Sequence, residues 1–157
     1  MSEVFFAGLL CALLGGADAE TAMKFDNQGS ERGIRVDCET PTHVIEIGMD
    51  HTNSSRDSIH QAVFASVLTD KIPMVILIDA DGNEGRYEQE MRLVTERLGI
   101  AYHRCKRDFL VRWSSTSALR GFNPTQVNDL PRSGFAKTHC NLDFSNTSEK
   151  LEGAATQ

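Results

Sequence analysis

The stretch RVDCETPTHVIEIGMD, residues 35–50, decides the fold. Two segments in and around it, IRVDC and HVIEIGM, nearly alternate between apolar and polar residues, which predicts two β-strands joined by a turn at Pro41. Each strand carries one carboxylate, Asp37 in the first and Glu46 in the second. Because side chains alternate along a strand, both acids project away from their aliphatic neighbours, and a hairpin can bring them to one face.

This pair of acids predicts a metal site. Two carboxylates held close together repel each other unless a cation lies between them. Mg²⁺ suits such a pair, since it binds one or two carboxylates and completes its shell with water and phosphate oxygens. The alternative is that Asp37 and Glu46 are ordinary solvent-side residues of a partly exposed hairpin.

The patterns on either side of the hairpin predict an α/β fold. Strands are expected at 20–25, 34–38, 43–49, 73–79 and 100–105, with a turn-rich connection at 26–33. Helices are expected near the start of the chain, at 55–69, at 85–98 and from residue 108. The order is α-β-β-β-α-β-α-β-α, and a run of three strands followed by crossover helices predicts a mixed central sheet flanked by helices.

The length of 157 residues predicts one folded domain over 1–122. Residues 123–157 contain few aliphatic side chains and many Ser, Thr, Asn and Gly, which predicts a mostly disordered tail. Residues 1–19 form either a core helix that ends at Gly15 and Gly16 or a signal peptide that ends near Ala19. Their apolar run is too short to cross a bilayer, so no membrane contact is expected. The first alternative predicts a cytoplasmic protein and the second an exported one.

The four cysteines are Cys11, Cys38, Cys105 and Cys140. They lack CxxC spacing, and Cys38 and Cys105 fall in predicted strands, so buried free thiols in a reducing compartment are expected.

The net charge of −6 argues against binding polyanions by bulk attraction. One segment is basic nevertheless, and its expected weak contacts to nucleic acid are Arg104, Lys106, Arg107 and Arg112. Phe109 and Trp113 would be available for base stacking. The alternative is a solvated helix face with core aromatics.

Three segments of the chain resemble a known family: RVDCETPTHVIE (35–46), QAVFASVLTDKIP (61–73) and MVILID (74–79). They resemble the PD-(D/E)XK nuclease-like superfamily, with its restriction-endonuclease-like αβββαβ core, and within it a group of small bacterial proteins. The resemblance covers about residues 34–105. It implies a Mg²⁺-dependent hydrolase that cleaves phosphodiester bonds of nucleic acid. Asp37 and Glu46 would bind the metal, Gln61 would point its amide at the site, and Glu20 would be an auxiliary acid.

The chain departs from that family at one position. The motif has a lysine two residues after the glutamate, and here that residue is Gly48. His51, Arg56 and His60 are nearby substitutes, and His51 is the expected general base at neutral pH. Two alternatives to a nuclease stay open: a non-catalytic module that binds nucleic acid or protein on the same fold, and an exported small protein with no nucleic-acid role. The oligomeric state is not predicted.

Overall fold

The computed structural model describes residues 2–14, 19–116 and 140. The predicted mixed α/β core is confirmed, as are the number and order of its elements. The helices are α1 Glu3–Leu13, α2 Asp57–Thr69, α3 Arg86–Leu98 and α4 Arg107–Ser115, with a 3₁₀ turn at Asn53–Arg56 before α2. The strands are β1 Ala19–Asn27, β2 Ser30–Glu39, β3 His43–Met49, β4 Ile72–Asp79 and β5 Ala101–Lys106.

The five strands form one mixed sheet in the order β1-β2-β3-β4-β5. The pairs β1–β2 and β2–β3 are antiparallel, whereas β3–β4 and β4–β5 are parallel. The change from antiparallel to parallel pairing follows from the segments that connect the strands. A short turn reverses the chain, whereas α2 and α3 each carry it back to the same end of the sheet before the next strand begins.

The core has two layers, one on each side of the sheet. Helices α1 and α4 pack against Ile45, Ile47 and Ile76, while α2 and α3 pack against Val75 and Leu77. β4 therefore alternates between the layers, and its side chains from 74 to 78 are completely buried. Burial on both faces explains why this strand is a continuous apolar run rather than an alternating one.

The first hairpin is longer than its sequence predicts. Residues 26–33, expected to be a connection, extend β1 and β2 to a two-residue turn at Gln28 and Gly29. Both turn residues have positive φ, 55° and 80°, as the tight turns favoured in hairpins require. Positive φ is uncommon for glutamine, so the sequence pattern gives little warning of this turn. Asp26 supports it by accepting a hydrogen bond from the Gly29 N–H at 3.0 Å.

The cysteines differ from expectation, because the structure pairs all four. Cys11 of α1 is bonded to Cys38 of β2, and Cys105 of β5 is bonded to Cys140, which also forms an isolated antiparallel bridge with it. The expected free thiols are therefore absent. The bonded cysteines are 27 and 35 residues apart, so no local sequence pattern predicts either bond. Both bonds depend on how helix α1 and residue 140 pack on the sheet.

At the N-terminus, residues 3–13 form helix α1, in which Phe6 and Leu10 are completely buried. The tail expected at 123–157 lies outside the described residues except for Cys140. Within the described ranges, no helix is long and apolar enough to cross a membrane.

Candidate functional site

The two predicted acids lie where β2 and β3 separate. The paired residues of this ladder are Cys38 with Ile45 and Glu39 with Val44, and one further step in that register places Asp37 opposite Glu46. At that step the hydrogen bond is made by the Asp37 side chain rather than by its backbone: Oδ2 accepts from the Ile47 N–H at 2.7 Å. The separation of the two strands leaves room for a pocket beside both acids.

This pocket has a cavity volume of about 270 Å³ and is polar. Its wall combines β2, β3, the 3₁₀ turn and the first turns of α1 and α2, so the start of two helices borders it. In the part of the chain that the structure describes, four carboxyl groups and one basic group line it. The charged lining residues are Glu3, Arg35, Asp37, Glu46 and Asp57, and the polar ones are Ser54, Ser55, Ser58 and Gln61.

Glu46 is the most unusual group in the pocket. Only 3% of its surface is exposed, and its Oε1 has no hydrogen-bond partner. Burial, followed by repulsion from Asp37, raises the pKa of Glu46 to about 9. Burial also raises the pKa of Asp37, although the hydrogen bond from Ile47 N–H partly offsets this effect. Without a cation, a pKa of about 9 keeps the Glu46 carboxyl group protonated at neutral pH, so it can donate a hydrogen bond to the Asp37 carboxylate.

Helix α2 places Gln61 at the pocket. Ala62 and Ala65 face the sheet and are completely buried, and their small side chains let the helix approach β3 and β4 closely. Gln61 itself is exposed on the pocket side. The structure thus brings Asp37, Glu46 and Gln61 together around one cavity.

The position expected for the motif lysine is closed by packing. Gly48 follows Glu46 by two residues on β3, and a Cβ atom there would lie 2.9 Å from Cβ of Ser55 and 3.3 Å from Cδ1 of Leu77. Distances below 3.0 Å do not occur without a shift of the neighbouring atoms. Ser55, whose hydroxyl donates to the Thr52 carbonyl at 2.7 Å, therefore occupies the space in which a longer side chain would start.

The substitutes for that lysine lie outside the pocket lining. The His51 side chain is 62% exposed, with Nδ1 3.0 Å from Oδ1 of Asp50. Arg56 pairs with Glu90, and the exposed His60 ring stacks on Phe64. Of these three, His51 is close enough to lower the pKa of Glu3, a carboxyl group whose pKa is raised chiefly by burial.

Sequence reasoning missed three charged residues of the pocket: Glu3, Arg35 and Asp57. Arg35 could have been predicted from the sequence, since it precedes Asp37 by two residues on the same strand and its side chain therefore lies on the same face. Glu20, the expected auxiliary acid, lies beside the lining, with Oε2 3.6 Å from Nη1 of Arg35. Its backbone φ is +60°, a rare conformation for glutamate inside a strand.

A second acidic cluster, Asp50, Asp79 and Asp81, lies at the carboxyl ends of β3 and β4, with ligand atoms within 4.8 Å of one another. Its buried oxygens already have partners. Asp79 Oδ2 lies 2.8 Å from Nη2 of Arg104, and Asp79 Oδ1 accepts from the Gly82 N–H at 2.6 Å. Asp50 Oδ2 accepts from the Ala80 N–H at 2.7 Å. A bound cation would therefore stabilise this cluster less than it would stabilise the unpartnered carboxyl oxygen of Glu46.

The four basic residues expected to contact nucleic acid differ in their surroundings. Arg104 is held between two buried acids, with its Nε 2.9 Å from Oε1 of Glu88 in addition to its contact with Asp79. Arg107 and Arg112 are exposed on α4, and Lys106 is half-buried. The aromatic residues of the same segment, Phe109 and Trp113, pack against the core.

No family model, no curated protein and no solved structure matches this chain. The chemistry of the pocket follows from its donor set. Carboxylate, hydroxyl and amide oxygens are hard ligands, which suit Mg²⁺, Mn²⁺ or Ca²⁺ rather than softer metals. Asp37 and Glu46 fit such an ion, because both line this polar cavity and the buried Oε1 of Glu46 has no hydrogen-bond partner.

Proposed function

We propose that this protein is a divalent-metal-dependent phosphodiesterase acting on nucleic acid, with Mg²⁺ as its ion and Asp37 and Glu46 as the metal ligands. One observation carries the proposal: Glu46 has a buried carboxyl group with an unpaired oxygen, next to a second acid in a polar pocket. Burying such a group is unfavourable unless a cation or a proton compensates it. The substrate class comes from the resemblance of the hairpin to nuclease-like proteins.

The residues of the chain have distinct roles in this proposal. The bound metal would lower the pKa of a water molecule and stabilise charge on the phosphate. The Ile47 N–H holds Asp37 in place through Oδ2, and Oδ1 would bind the metal. Gln61 orients the attacking water with its amide. Water adds to phosphorus, the bond to one ester oxygen breaks, and the proton lost by water passes to the leaving oxygen or to solvent.

A non-catalytic binding module is the second candidate. It is favoured by the contact between Gly48 and Ser55, which leaves no space for a lysine at the motif position. A metal site without that lysine can still bind a phosphate through the metal, so metal binding alone does not separate the two candidates.

Metal binding is tested first by calorimetric titration with Mn²⁺ and Mg²⁺. Wild type should bind saturably, and the double variant Asp37→Asn/Glu46→Gln should not. Asp81→Asn is the matched control, because it removes one carboxylate from the second acidic cluster and leaves the pocket intact. If Asp81→Asn abolishes binding and the double variant keeps it, the metal belongs to the other cluster and the proposal fails.

Hydrolysis is tested next on bis(p-nitrophenyl) phosphate, then on single-stranded and duplex oligonucleotides. Metal-dependent cleavage that the double variant loses would support the phosphodiesterase. Saturable metal binding without cleavage of any of these substrates would favour the binding module.

A further inference from the structure

A phosphate in this pocket requires a positive group besides the metal. Four carboxyl groups line the cavity, and one divalent ion held by Asp37 and Glu46 leaves the charges of Glu3 and Asp57 uncompensated. These acids would repel a phosphodiester anion. Favourable binding therefore needs a cationic side chain that reaches the cavity.

Position 48 cannot supply that cation. A side chain there would begin within 2.9 Å of Ser55 and 3.3 Å of Leu77, so the route from β3 is blocked. Among the residues of the described ranges that line the cavity, Arg35 of β2 is the only basic one.

The surroundings of Arg35 leave it able to contact a ligand. Its side chain is 75% exposed, and its ion pair with Glu20 is long, with 3.6 Å between Nη1 and Oε2. Arg35 and Asp37 are two residues apart on β2, so both project from the same face toward the cavity. A planar guanidinium can donate two parallel hydrogen bonds to the oxygens of one phosphate.

We propose that Arg35 binds the non-bridging oxygens of the substrate phosphate and supplies the positive charge that position 48 cannot. This inference rests on the proposed function of the pocket, because it assumes a phosphate ligand. In the hydrolysis step described above, Arg35 neutralises charge that builds on those oxygens as water adds to phosphorus, and it transfers no proton.

The test compares Arg35→Ala, Arg35→Lys and Arg32→Ala. Arg32 is a matched control, because it is exposed on the same strand but three residues away, so it points to the opposite face. With bis(p-nitrophenyl) phosphate, Arg35→Ala should lower kcat/KM by about 100-fold, with kcat falling as well as KM rising. Arg35→Lys should recover to within about 10-fold of wild type, since it keeps the charge but loses the two-pronged geometry. Arg32→Ala should match wild type, and all three should bind Mn²⁺ as wild type does.

A second measurement is independent of hydrolysis. Inorganic phosphate is titrated into Mg²⁺-saturated protein and followed by ³¹P NMR. Loss of phosphate binding in Arg35→Ala but not in Arg32→Ala would support the inference even if no substrate is cleaved. Wild-type hydrolysis that survives Arg35→Ala unchanged would overturn the role of Arg35 and leave the proposed function standing. Absence of both hydrolysis and phosphate binding in wild type would overturn both.

Discussion

Glu46 links stability to pH because its carboxyl group is buried. Its pKa rises from an ordinary 4.5 to about 9 in the folded, metal-free protein. Between these values the folded state binds a proton that the unfolded state has lost, so stability falls as pH rises. For a single group the free energy of unfolding decreases by up to about 1.4 kcal/mol per pH unit.

Glu46→Gln should remove most of that dependence. The amide keeps the shape of the protonated acid and can still donate to Asp37, so in the presence of EDTA the variant should resemble wild type near pH 5 and exceed its stability near pH 9. Urea unfolding at both pH values measures the difference. Glu31→Gln is the control, because its exposed carboxylate pairs with Lys24 on the surface. A wild-type stability that stays constant from pH 5 to 9 would contradict the burial of an ionisable Glu46.

Metal binding should depend on pH in the opposite direction, since a bound ion must displace the proton of Glu46. We expect Mn²⁺ affinity to increase from pH 6 to pH 9. Calorimetry in buffers with different ionisation enthalpies should show proton release on binding. An affinity independent of pH, with no proton release, would point to the second acidic cluster or to another site.

Gly48 is constrained by close packing rather than by backbone conformation. Gly48→Ala should destabilise the protein by about 1–3 kcal/mol, because its Cβ would displace Ser55. Gly33→Ala in β2 is the matched control, since its Cβ would meet only the Met23 carbonyl oxygen, at an ordinary 3.5 Å. Urea unfolding of both variants measures the difference. Equal stability would show that the space beside Ser55 is larger than the structure indicates, and a lysine at position 48 would then be feasible.

At the scale of elements, Arg104 joins β5 to β4 and α3. It contacts Asp79 and Glu88, whose side chains are 0% and 1% exposed. Arg104→Ala would leave two buried acids without their cation, and we expect a loss of about 3 kcal/mol in the free energy of unfolding. Arg112→Ala should change stability by less than about 0.5 kcal/mol, because Arg112 is exposed on α4. Equal effects of the two substitutions would mean that Arg104 is not a structural residue.

The elements themselves were predictable from sequence, because the patterns that define them are local. The helix and strand order follows from apolar spacing, and the face shared by Asp37 and Glu46 follows from alternation along two adjacent strands. The remaining features of the pocket depend on distant segments. Glu3 reaches it from α1 and Asp57 from the start of α2, and neither proximity has a local pattern. The contact of Ser55 with Gly48 likewise exists only after the turn before α2 has folded onto β3.

At the scale of the whole molecule, the pocket lies at the junction of two kinds of sheet. On one side is the antiparallel hairpin of β1 and β2, and on the other is the parallel part that begins at β3. Few backbone pairs join β2 to β3, so the relative position of the two acids depends on other contacts across the junction. One of these is the bond between Cys38, next to Asp37, and Cys11 of the helix that carries Glu3.

The disulfides should therefore contribute both to stability and to the geometry of the pocket. Alkylation of the unfolded protein without reductant, followed by mass spectrometry, should detect no free thiol. A cross-link between residues 27 apart should stabilise the fold by about 3–4 kcal/mol through the entropy of the unfolded chain, so Cys11→Ala/Cys38→Ala should lose about that much. The Cys105–Cys140 bond spans a similar separation of 35 residues, so Cys105→Ala/Cys140→Ala should lose a similar amount of stability and is the matched control.

If the pocket depends on α1, only the Cys11→Ala/Cys38→Ala substitutions should also weaken Mn²⁺ binding. Four reactive thiols in the native protein would contradict the pairing, and equal metal affinity in both double variants would show that the Cys11–Cys38 bond acts on stability alone.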